Sequence, residues 1–218
     1  MKLSETELEQ LAQQLRCPDG NEGIKVAEMM NFTNSNIISK TIDNLQVKPH
    51  DTLLEIGPGN ASHVKDIVSI VDSINYYGID ISETMVAEAK KLNMGVSNVL
   101  FMLSDGATIP FNDNYFSKIF TVNTIYFWNN PAQYAKEIYR VLKQGGKLNI
   151  GFIPKSTMQH IPFARYGFTL YDTETVSNIL KNNGFTDCTA ITETELVKSN
   201  SGEDIEREFV ILSAIKNK

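Results

Sequence analysis

The stretch that most constrains this chain is residues 52–62, with the sequence TLLEIGPGNAS. A short apolar run ends in an acidic residue, Glu55, and the glycines Gly57 and Gly59 follow it with one residue between them. Glycine permits positive φ angles and lets another molecule approach the backbone closely. The pattern therefore predicts a buried β-strand that turns sharply into a helix, with a ligand-accessible turn between the two.

Helix and strand patterns alternate after this turn. Apolar residues recur at helical spacing over residues 60–72. Strand composition is found in six further segments, which are 75–79, 98–103, 118–123, 148–153, 185–193 and 206–215. The alternation predicts an α/β fold with a doubly wound, largely parallel sheet.

Local signals predict where several helices begin and end. Ser4 and Glu7 are spaced as a capping box for an amphipathic helix over residues 3–15. Asn130 followed by Pro131 predicts a helix start, because proline is favoured at the first helical position. The glycine pair 145–146 is expected to end that helix before the fifth strand. Leu92 is expected on the buried face of the helix after the second strand.

The acidic residue before the glycine turn indicates which ligand the turn accepts. A pyrophosphate at this turn would be repelled by the Glu55 carboxylate by roughly 1 kcal/mol or more at contact distance. A ligand that carries a cationic amine and a sulfonium would be attracted instead. The third glycine of the dinucleotide-binding fingerprint is also missing, because Ser62 stands in its place.

A second carboxylate follows the next strand. Asp80 lies roughly 20 residues after the glycines, the spacing at which an acidic side chain reaches ribose hydroxyls in doubly wound folds. Nicotinamide-dependent enzymes share this spacing, so it supports a nucleoside without choosing one. Taken alone, Asp80 equally fits a cap for the following helix. Ile81 and Met85 are placed to pack on an adenine or ribose.

Composition weighs against several classes of function. The net charge is −6 at pH 7 and no run of five or six basic residues occurs, which argues against nucleic acid as a main partner. Cys17 and Cys188 are the only cysteines, so neither a disulfide framework nor a metal site is expected, and a reducing cytoplasm suits them. No apolar stretch reaches the roughly 20 residues of a membrane span.

Residues 55–59, Glu-Ile-Gly-Pro-Gly, resemble the first motif of the class I S-adenosylmethionine (SAM)-dependent methyltransferases. Residues 140–148, RVLKQGGKL, are also similar to a recurrent phrase of these enzymes. The resemblance covers nearly the whole chain, most securely residues 50–153. It implies a Rossmann-like sheet of seven strands in the order 3-2-1-4-5-7-6, one of them antiparallel, within a domain over residues 47–218. It also implies SAM as cofactor and S-adenosylhomocysteine (SAH) as product.

The resemblance assigns further residues to the cofactor. In this family an acidic residue followed by small residues holds the adenine amino group, and Asp105, Gly106 and Ala107 match; an ordinary Asp-Gly turn is the alternative. Asn123 occupies the slot nearest the methyl donor, but two prolines typical of amino-group methylation are absent around it. The predicted cofactor-binding residues are Glu55, Gly57, Gly59, Asp80, Ile81, Met85, Asp105, Gly106, Ala107, Asn123 and Met30.

Residues 1–46 are predicted to form a helical segment over the cofactor pocket. Residues 16–45 are similar to the leader of small-molecule methyltransferases related to the quinone-biosynthesis C-methyltransferases. In such enzymes the leader packs over SAM, which implies ligand contacts for Met29, Met30 and Asn31. Filling of a gap in the core is the alternative role for both methionines.

Two segments are candidates for the acceptor site. Tyr126, Phe127 and Trp128 form an aromatic group that can attract a sulfonium or stack on a flat acceptor, although Phe127 is expected in the core. In the resembled family the insertion at 154–171 covers the acceptor. The expected acceptor contacts are Tyr126, Trp128, His160 and Arg165. His160, as a base or an anion ligand, and Tyr126 are the candidate catalytic groups, with a solvated loop histidine as the alternative for His160.

The predicted function is direct in-line transfer of a methyl group from SAM to a small-molecule acceptor. A carbon or thiolate acceptor needs no proton-transfer residue, whereas a hydroxyl needs a base. His63, just inside the first helix after the glycines, is expected to lie too near the cofactor turn to act as one. An NAD(P)-dependent oxidoreductase and a non-catalytic SAM-binding protein are the alternatives. The acceptor, the atom methylated and the oligomeric state stay open.

Overall fold

The computed structural model describes residues 3–198 and 204–217. Within these ranges one sheet has seven strands in the order β3-β2-β1-β4-β5-β7-β6, which confirms the predicted order. β7 pairs antiparallel with both of its neighbours, β5 and β6, and the other pairs are parallel. The strands are β1 (Thr52–Ile56), β2 (Asn75–Asp80), β3 (Val99–Leu103), β4 (Phe116–Val122), β5 (Leu142–Phe152), β6 (Phe185–Lys198) and β7 (Asp204–Lys216).

Helices cover both faces of this sheet. Successive side chains of a strand point to opposite faces, and Leu53 and Leu54 accordingly enter two different buried clusters. Among the helices of the described ranges, none is long and apolar enough to cross a membrane. The helices are α1 (Glu5–Arg16), α2 (Gly20–Thr33), α3 (Ser35–Leu45), α4 (Val64–Ile70), α5 (Glu83–Leu92), α6 (Pro131–Val141), α7 (Lys155–Met158) and α8 (Thr173–Asn182).

The predicted helix starts are confirmed where a capping side chain is present. Ser4 accepts from the Glu7 N–H at 3.3 Å, and the Glu7 carboxylate accepts in return from the Ser4 N–H at 2.7 Å. The Asn130 side chain accepts from the Gln133 N–H at 3.1 Å, and Pro131 is the first residue of α6. These caps satisfy backbone groups that the first helical turn leaves unpaired.

Three local predictions were wrong. The helix after the glycine turn begins at Val64 instead of residue 60, because Ala61 is left-handed, with φ of 53°, and the chain is still turning there. Helix α6 ends at Val141, and the glycine pair 145–146 lies inside β5, where the β4–β5 register shifts. Leu92, the last residue of α5, is 39% exposed.

Helix α3 of the N-terminal segment is fixed directly to β5 and β7. The Asn149 side chain donates to the Thr41 carbonyl at 2.9 Å, and Ser213 donates to Asn44 Oδ1 at 2.7 Å. A Cβ on Gly151 would collide with Thr41 Oγ1, so the helix lies against bare strand backbone. These contacts hold α3 against β5 and β7.

Gly151→Ala should lower the free energy of unfolding by about 1–3 kcal/mol, because the added methyl group overpacks the α3–β5 contact. Its φ lies outside the left-handed region, so backbone strain is not involved. Chemical denaturation of the variant measures the loss.

The double variant Thr41→Ala with Gly151→Ala is the matched control, because it removes the colliding oxygen. Adding Gly151→Ala to the Thr41→Ala variant should therefore lower the free energy of unfolding by less than adding it to the wild-type protein does. Strictly additive losses would show that α3 does not lie on Gly151 as described.

Candidate cofactor and active site

A cavity of about 320 Å³ lies at the carboxyl ends of β1, β2, β4 and β5. The strand ends contribute its floor, and the N-terminal segment contributes part of its roof through residues such as Arg16, Met30 and Asn34. Open α/β sheets bind ligands at this edge, where the strand order reverses. The reversal here is between β1 and β4, directly at the glycine turn.

Three residues of the glycine turn, at alternate positions, have a left-handed backbone conformation. Gly57, Gly59 and Ala61 have φ of 71°, 58° and 53°. Ala61 was missed by sequence reasoning, since alanine gives no signal for a positive φ; its side chain is fully buried, and its carbonyl accepts from Asn93 Nδ2 at 3.0 Å. The surrounding contacts therefore impose the third left-handed residue.

Glycine is needed at positions 57 and 59 for different physical reasons. A Cβ on Gly57 would lie 2.5 Å from Thr124 Cγ2, so Gly57 is required by packing against the loop after β4. A Cβ on Gly59 would meet nothing within 4 Å, and Gly59 lines the cavity. Gly59 thus leaves bare backbone facing open space, the kind of cradle that a cofactor fills.

Asp80 is held beneath this cradle. Its Oδ2 accepts from the Gly59 N–H at 3.1 Å and its Oδ1 accepts from the Ser82 N–H at 2.9 Å. Each carboxylate oxygen can accept two hydrogen bonds, and each of these accepts one from the backbone. One position on each oxygen therefore stays available, which is enough for two vicinal hydroxyls. Burial raises the pKa of Asp80 to about 6, although the two N–H bonds oppose the shift.

Glu55 is buried between β1, β2 and α4, with 2% of its surface exposed. The Tyr76 hydroxyl donates to Oε2, and His63 Nε2 lies 3.0 and 2.9 Å from the two carboxylate oxygens. Burial by itself lowers the pKa of His63, but the charge and hydrogen bond of Glu55 outweigh it, so the pKa is raised. The Glu55 carboxylate, whose negative charge is predicted to attract the cofactor, therefore also interacts with His63.

Asp105 forms the turn that was the alternative to its cofactor role. Its Oδ1 accepts from the N–H groups of Ala107 and Thr108 at 2.8 and 2.7 Å, and its Oδ2 accepts from the Thr108 hydroxyl at 2.8 Å. These bonds lower its pKa. Because Asp105 also lines the cavity and Oδ2 has capacity for a second donor, both roles are compatible.

The cavity does not collect all of the predicted cofactor residues. Met85 of α5 is fully buried, and Ala107 is exposed to solvent. Neither is among the described residues that line the cavity. Ile81 and Met30 do line it, whereas Met29, outside the lining set, is exposed. The cavity is lined by the predicted residues Glu55, Gly57, Gly59, Asp80, Ile81, Asp105, Gly106, Asn123 and Met30.

Tyr126 connects the ends of β4 and β5. Its hydroxyl accepts from the Ile153 N–H at 2.6 Å and donates to Asn123 Oδ1 at 3.0 Å. Burial raises the pKa of this phenol far above its ordinary value, so it does not ionise near neutral pH. Its position argues against the predicted catalytic role, and its contacts fix Asn123, which is left-handed with φ of 57°.

The aromatic group after β4 is divided between two neighbours. Trp128 packs edge-on against Tyr134 at 4.9 Å, and burial, then the charges of Asp105, Glu137 and Asp80, raise the pKa of Tyr134. Trp128 therefore lies at the Asp105 end of the cavity. Phe127, expected in the core, is only half-buried, packs on Phe168 at 4.6 Å and lines the cavity.

His160 and Arg165 lie outside the cavity, contrary to the sequence-based expectation. His160 is exposed beside Gln159, and Arg165 is exposed and paired with Glu5 at 3.3 Å. The short helix α7 and the turn Pro162–Arg165 direct apolar residues inward instead. The insertion contributes Met158, Ile161, Phe163 and Phe168 to the cavity.

Several lining residues were not predicted. Arg207 of β7 is buried, lies 2.5 Å from Glu195 and donates to the Thr33 carbonyl at 2.9 Å. Nothing in the sequence pairs residues 33 and 207. Tyr134 carried only a helix-face signal. His63 did have a signal, as a polar residue directly after the glycine turn, but it was assigned no ligand contact.

Comparisons with known proteins agree with this architecture. The family model for a methyltransferase domain matches residues 54–150. The uncharacterized methyltransferase YdaC of Bacillus subtilis is 28% identical over 127 residues, which cover 58% of this chain and 70% of YdaC. Phosphoethanolamine N-methyltransferase 1 of Arabidopsis thaliana is 28% identical over 160 residues, which cover 71% of this chain but only 32% of the plant enzyme.

A solved structure extends the likeness of fold over nearly the whole chain. Phosphoethanolamine N-methyltransferase 2 of Haemonchus contortus, in complex with phosphomonomethylethanolamine and SAH, superposes with a TM-score of 0.69 at 16% identity. The match covers 95% of this chain and 61% of that chain. The finer resemblance to quinone-biosynthesis C-methyltransferases stays a prediction. The domain match and the methyltransferase relatives support a class I SAM-dependent methyltransferase, and the solved structure shows the same fold.

Proposed function

We propose that this protein transfers the methyl group of SAM to a small molecule bound in the apolar half of the cavity. The carrying observation is the division of one cavity into two chemical halves. Gly59, Asp80 and Asp105 supply backbone and carboxylate oxygens at one end. Phe127, Phe168 and their apolar neighbours line the other end, beyond Asn123.

The cofactor end fits SAM residue by residue. The free acceptor positions of Asp80 suit the two ribose hydroxyls, and the remaining capacity of Asp105 Oδ2 suits the adenine amino group. Ile81 and Trp128 offer apolar surface to the adenosine. SAM, when bound, supplies an electrophilic methyl group on a sulfonium.

The chain's own contribution to the reaction is alignment. Asn123, fixed by Tyr126, forms the floor between the two halves, and the aromatic wall orients the acceptor. Such orientation can supply on the order of 7–11 kcal/mol of a barrier. Among the described lining residues His63 is the only histidine, and its Nε2 is engaged by Glu55. This favours an acceptor whose nucleophile needs no proton removed by the enzyme.

The acceptor half favours an apolar molecule over a phosphorylated amine like those named for two of the relatives. Within the described residues, the cation that lines this half is Arg207, and Glu195 neutralises it. In the part of the chain that the structure describes, a phosphate in this half would meet an arginine whose charge is already paired. The N-terminal segment also forms part of the cavity's roof, and the chain has a net charge of −6, both of which support a small acceptor over nucleic acid.

Calorimetry with SAM, SAH and NAD⁺, followed by a screen for SAH formation with apolar and phosphorylated acceptors, tests this proposal. Binding of SAM and SAH with turnover of an apolar acceptor is expected. Binding of NAD⁺ without SAM would favour an oxidoreductase. Tight SAM binding without SAH formation from any acceptor would favour a non-catalytic SAM-binding protein.

Gly59→Ala should weaken SAM binding by roughly tenfold or more, because the new methyl group occupies the cradle and loss of about 1.4 kcal/mol is tenfold in affinity. The left-handed φ adds a cost of about 1–2 kcal/mol to folding. Calorimetry and thermal denaturation measure the two effects separately.

Gly95→Ala is the matched control. Gly95 is also left-handed, with φ of 84°, and a Cβ there also meets nothing within 4 Å, but it lies away from the described cavity lining. It should lose similar stability and keep its SAM affinity. Equal binding by both variants would refute the cradle.

SAM affinity should rise with pH through the titration of Asp80. Ribose hydroxyls donate to the ionised carboxylate, and the pKa of Asp80 in the free protein is about 6. At pH 5 only about one tenth of the protein is ionised there, so Kd should be about tenfold higher than at pH 7. Calorimetry at both pH values measures the ratio.

Asp80→Asn removes this titration and should show weaker binding that lacks this tenfold rise over the same range. In the free protein, the raised pKa means that the folded state holds the proton more tightly than the unfolded chain. The unfolding free energy of wild type, relative to Asp80→Asn, should therefore fall by about 2 kcal/mol from pH 4 to pH 7. A rise would contradict the assignment.

A further inference from the structure

We propose that His63 is a cofactor-binding residue whose Nδ1 holds the α-carboxylate of SAM and SAH. The proposal rests on the cofactor assignment above and goes beyond it, because no predicted contact provides a partner for that carboxylate. Its basis is the position of His63 beside the glycine turn and the hydrogen bonds that the ring does and does not make.

His63 lies at the junction of the turn and the first helix. It is the residue before α4, its side chain is 15% exposed, and it lines the same cavity as Gly57 and Gly59. The backbone between Gly57 and His63 turns around the end of β1. Gly59 and His63 are four residues apart in the chain, and both line the cavity in which the cofactor would lie.

One ring nitrogen is occupied and the other is not. Nε2 faces both oxygens of Glu55 at 3.0 and 2.9 Å. Nδ1 is buried and has no hydrogen-bond partner among the described residues. A buried polar atom without a partner costs free energy, so a ligand that supplies one gains affinity. The unpartnered Nδ1 is the feature that points to a ligand.

The charges around the ring decide which ligand group is preferred. Glu55 on β1 and Asp66 on α4 face His63, and the Tyr76 hydroxyl on β2 donates to Oε2 of Glu55. A carboxylate opposite Nε2 makes that nitrogen a donor, and the raised pKa favours a proton on Nδ1 as well. A doubly protonated ring donates from Nδ1 to an anion, and the anionic group of SAM is its carboxylate.

The other cations that line the cavity are engaged elsewhere. Arg16 donates to Asn129 at 3.2 Å, next to Trp128, and thus lies at the adenosine end. Arg207 is paired with Glu195 and lies on β7, on the acceptor side. Among the described lining residues, His63 is then the cation beside the glycine turn. The imidazole would link Glu55 on one side to the cofactor on the other.

A ligand-truncation cycle tests this role. The probes are SAH and its decarboxylated analogue S-adenosyl-3-thiopropylamine, which lacks only the α-carboxylate. Wild type should bind SAH roughly tenfold or more tightly than the analogue, the effect of a hydrogen bond to a charged group. His63→Gln places its amide near the Nε2 position, so it keeps a donor toward Glu55 and loses Nδ1. In that variant the ratio of the two Kd values should approach one.

His63→Asn is the complementary variant, because its amide nitrogen lies near the Nδ1 position. It should retain more of the preference for SAH than His63→Gln does. A ratio in His63→Gln that equals the wild-type ratio, with both ligands weakened alike, would show that His63 acts only by holding Glu55. That result would overturn the proposal.

Nitrogen NMR of the wild-type protein keeps the test independent of the variants' folding. Addition of SAH should shift the Nδ1 resonance of His63, and the decarboxylated analogue should shift it much less. Equal shifts with both ligands would overturn the proposal. Failure of both ligands to bind would instead reject the proposed function, so the two failures are distinguishable.

Discussion

The rest of the site depends on one buried carboxylate at the end of the first strand. Glu55 is enclosed by β1, β2 and α4, where an unpaired charge would be costly. Tyr76 and His63 supply its hydrogen bonds, and they come from the second strand and the first helix after the turn. This single group therefore ties together the three elements whose junction forms the glycine cradle. Its charge reaches the cavity through the imidazole.

A second set of contacts transmits this order across the sheet. Asp80 accepts from Gly59 and Ser82, so the end of β2 holds both the turn and the start of α5. Tyr126 does the same for β4 and β5 by bonding Asn123 and Ile153. In both cases a polar side chain at one strand end fixes the backbone of its neighbour. The cavity floor is thus rigid, which suits chemistry that relies on alignment.

Much of this architecture was accessible from the sequence because its causes are local or periodic. The alternation of strands and helices, the Ser4 capping box and the Asn130–Pro131 start depend on residues a few positions apart. Gly145 and Gly146 failed as a helix stop because α6 already ends at Val141, and the pair lies in β5 where the register with β4 shifts. Leu92 failed because it is the last residue of α5, where it stays 39% exposed.

The sequence by itself determined the fold class, the strand order through the family resemblance, and the positions of Glu55, Gly59 and Asp80 around one turn. Only the tertiary structure decided which side chains share the cavity. Arg207, which was not predicted, lines the cavity through its contacts with Thr33 and Glu195. His160 and Arg165, which were predicted, lie outside it because a short helix and turn direct apolar residues inward. The physical reason is sequence separation. The regular pairing of neighbouring strands brings their ends together, whereas side chains that are far apart in the chain meet only when the helices and loops pack.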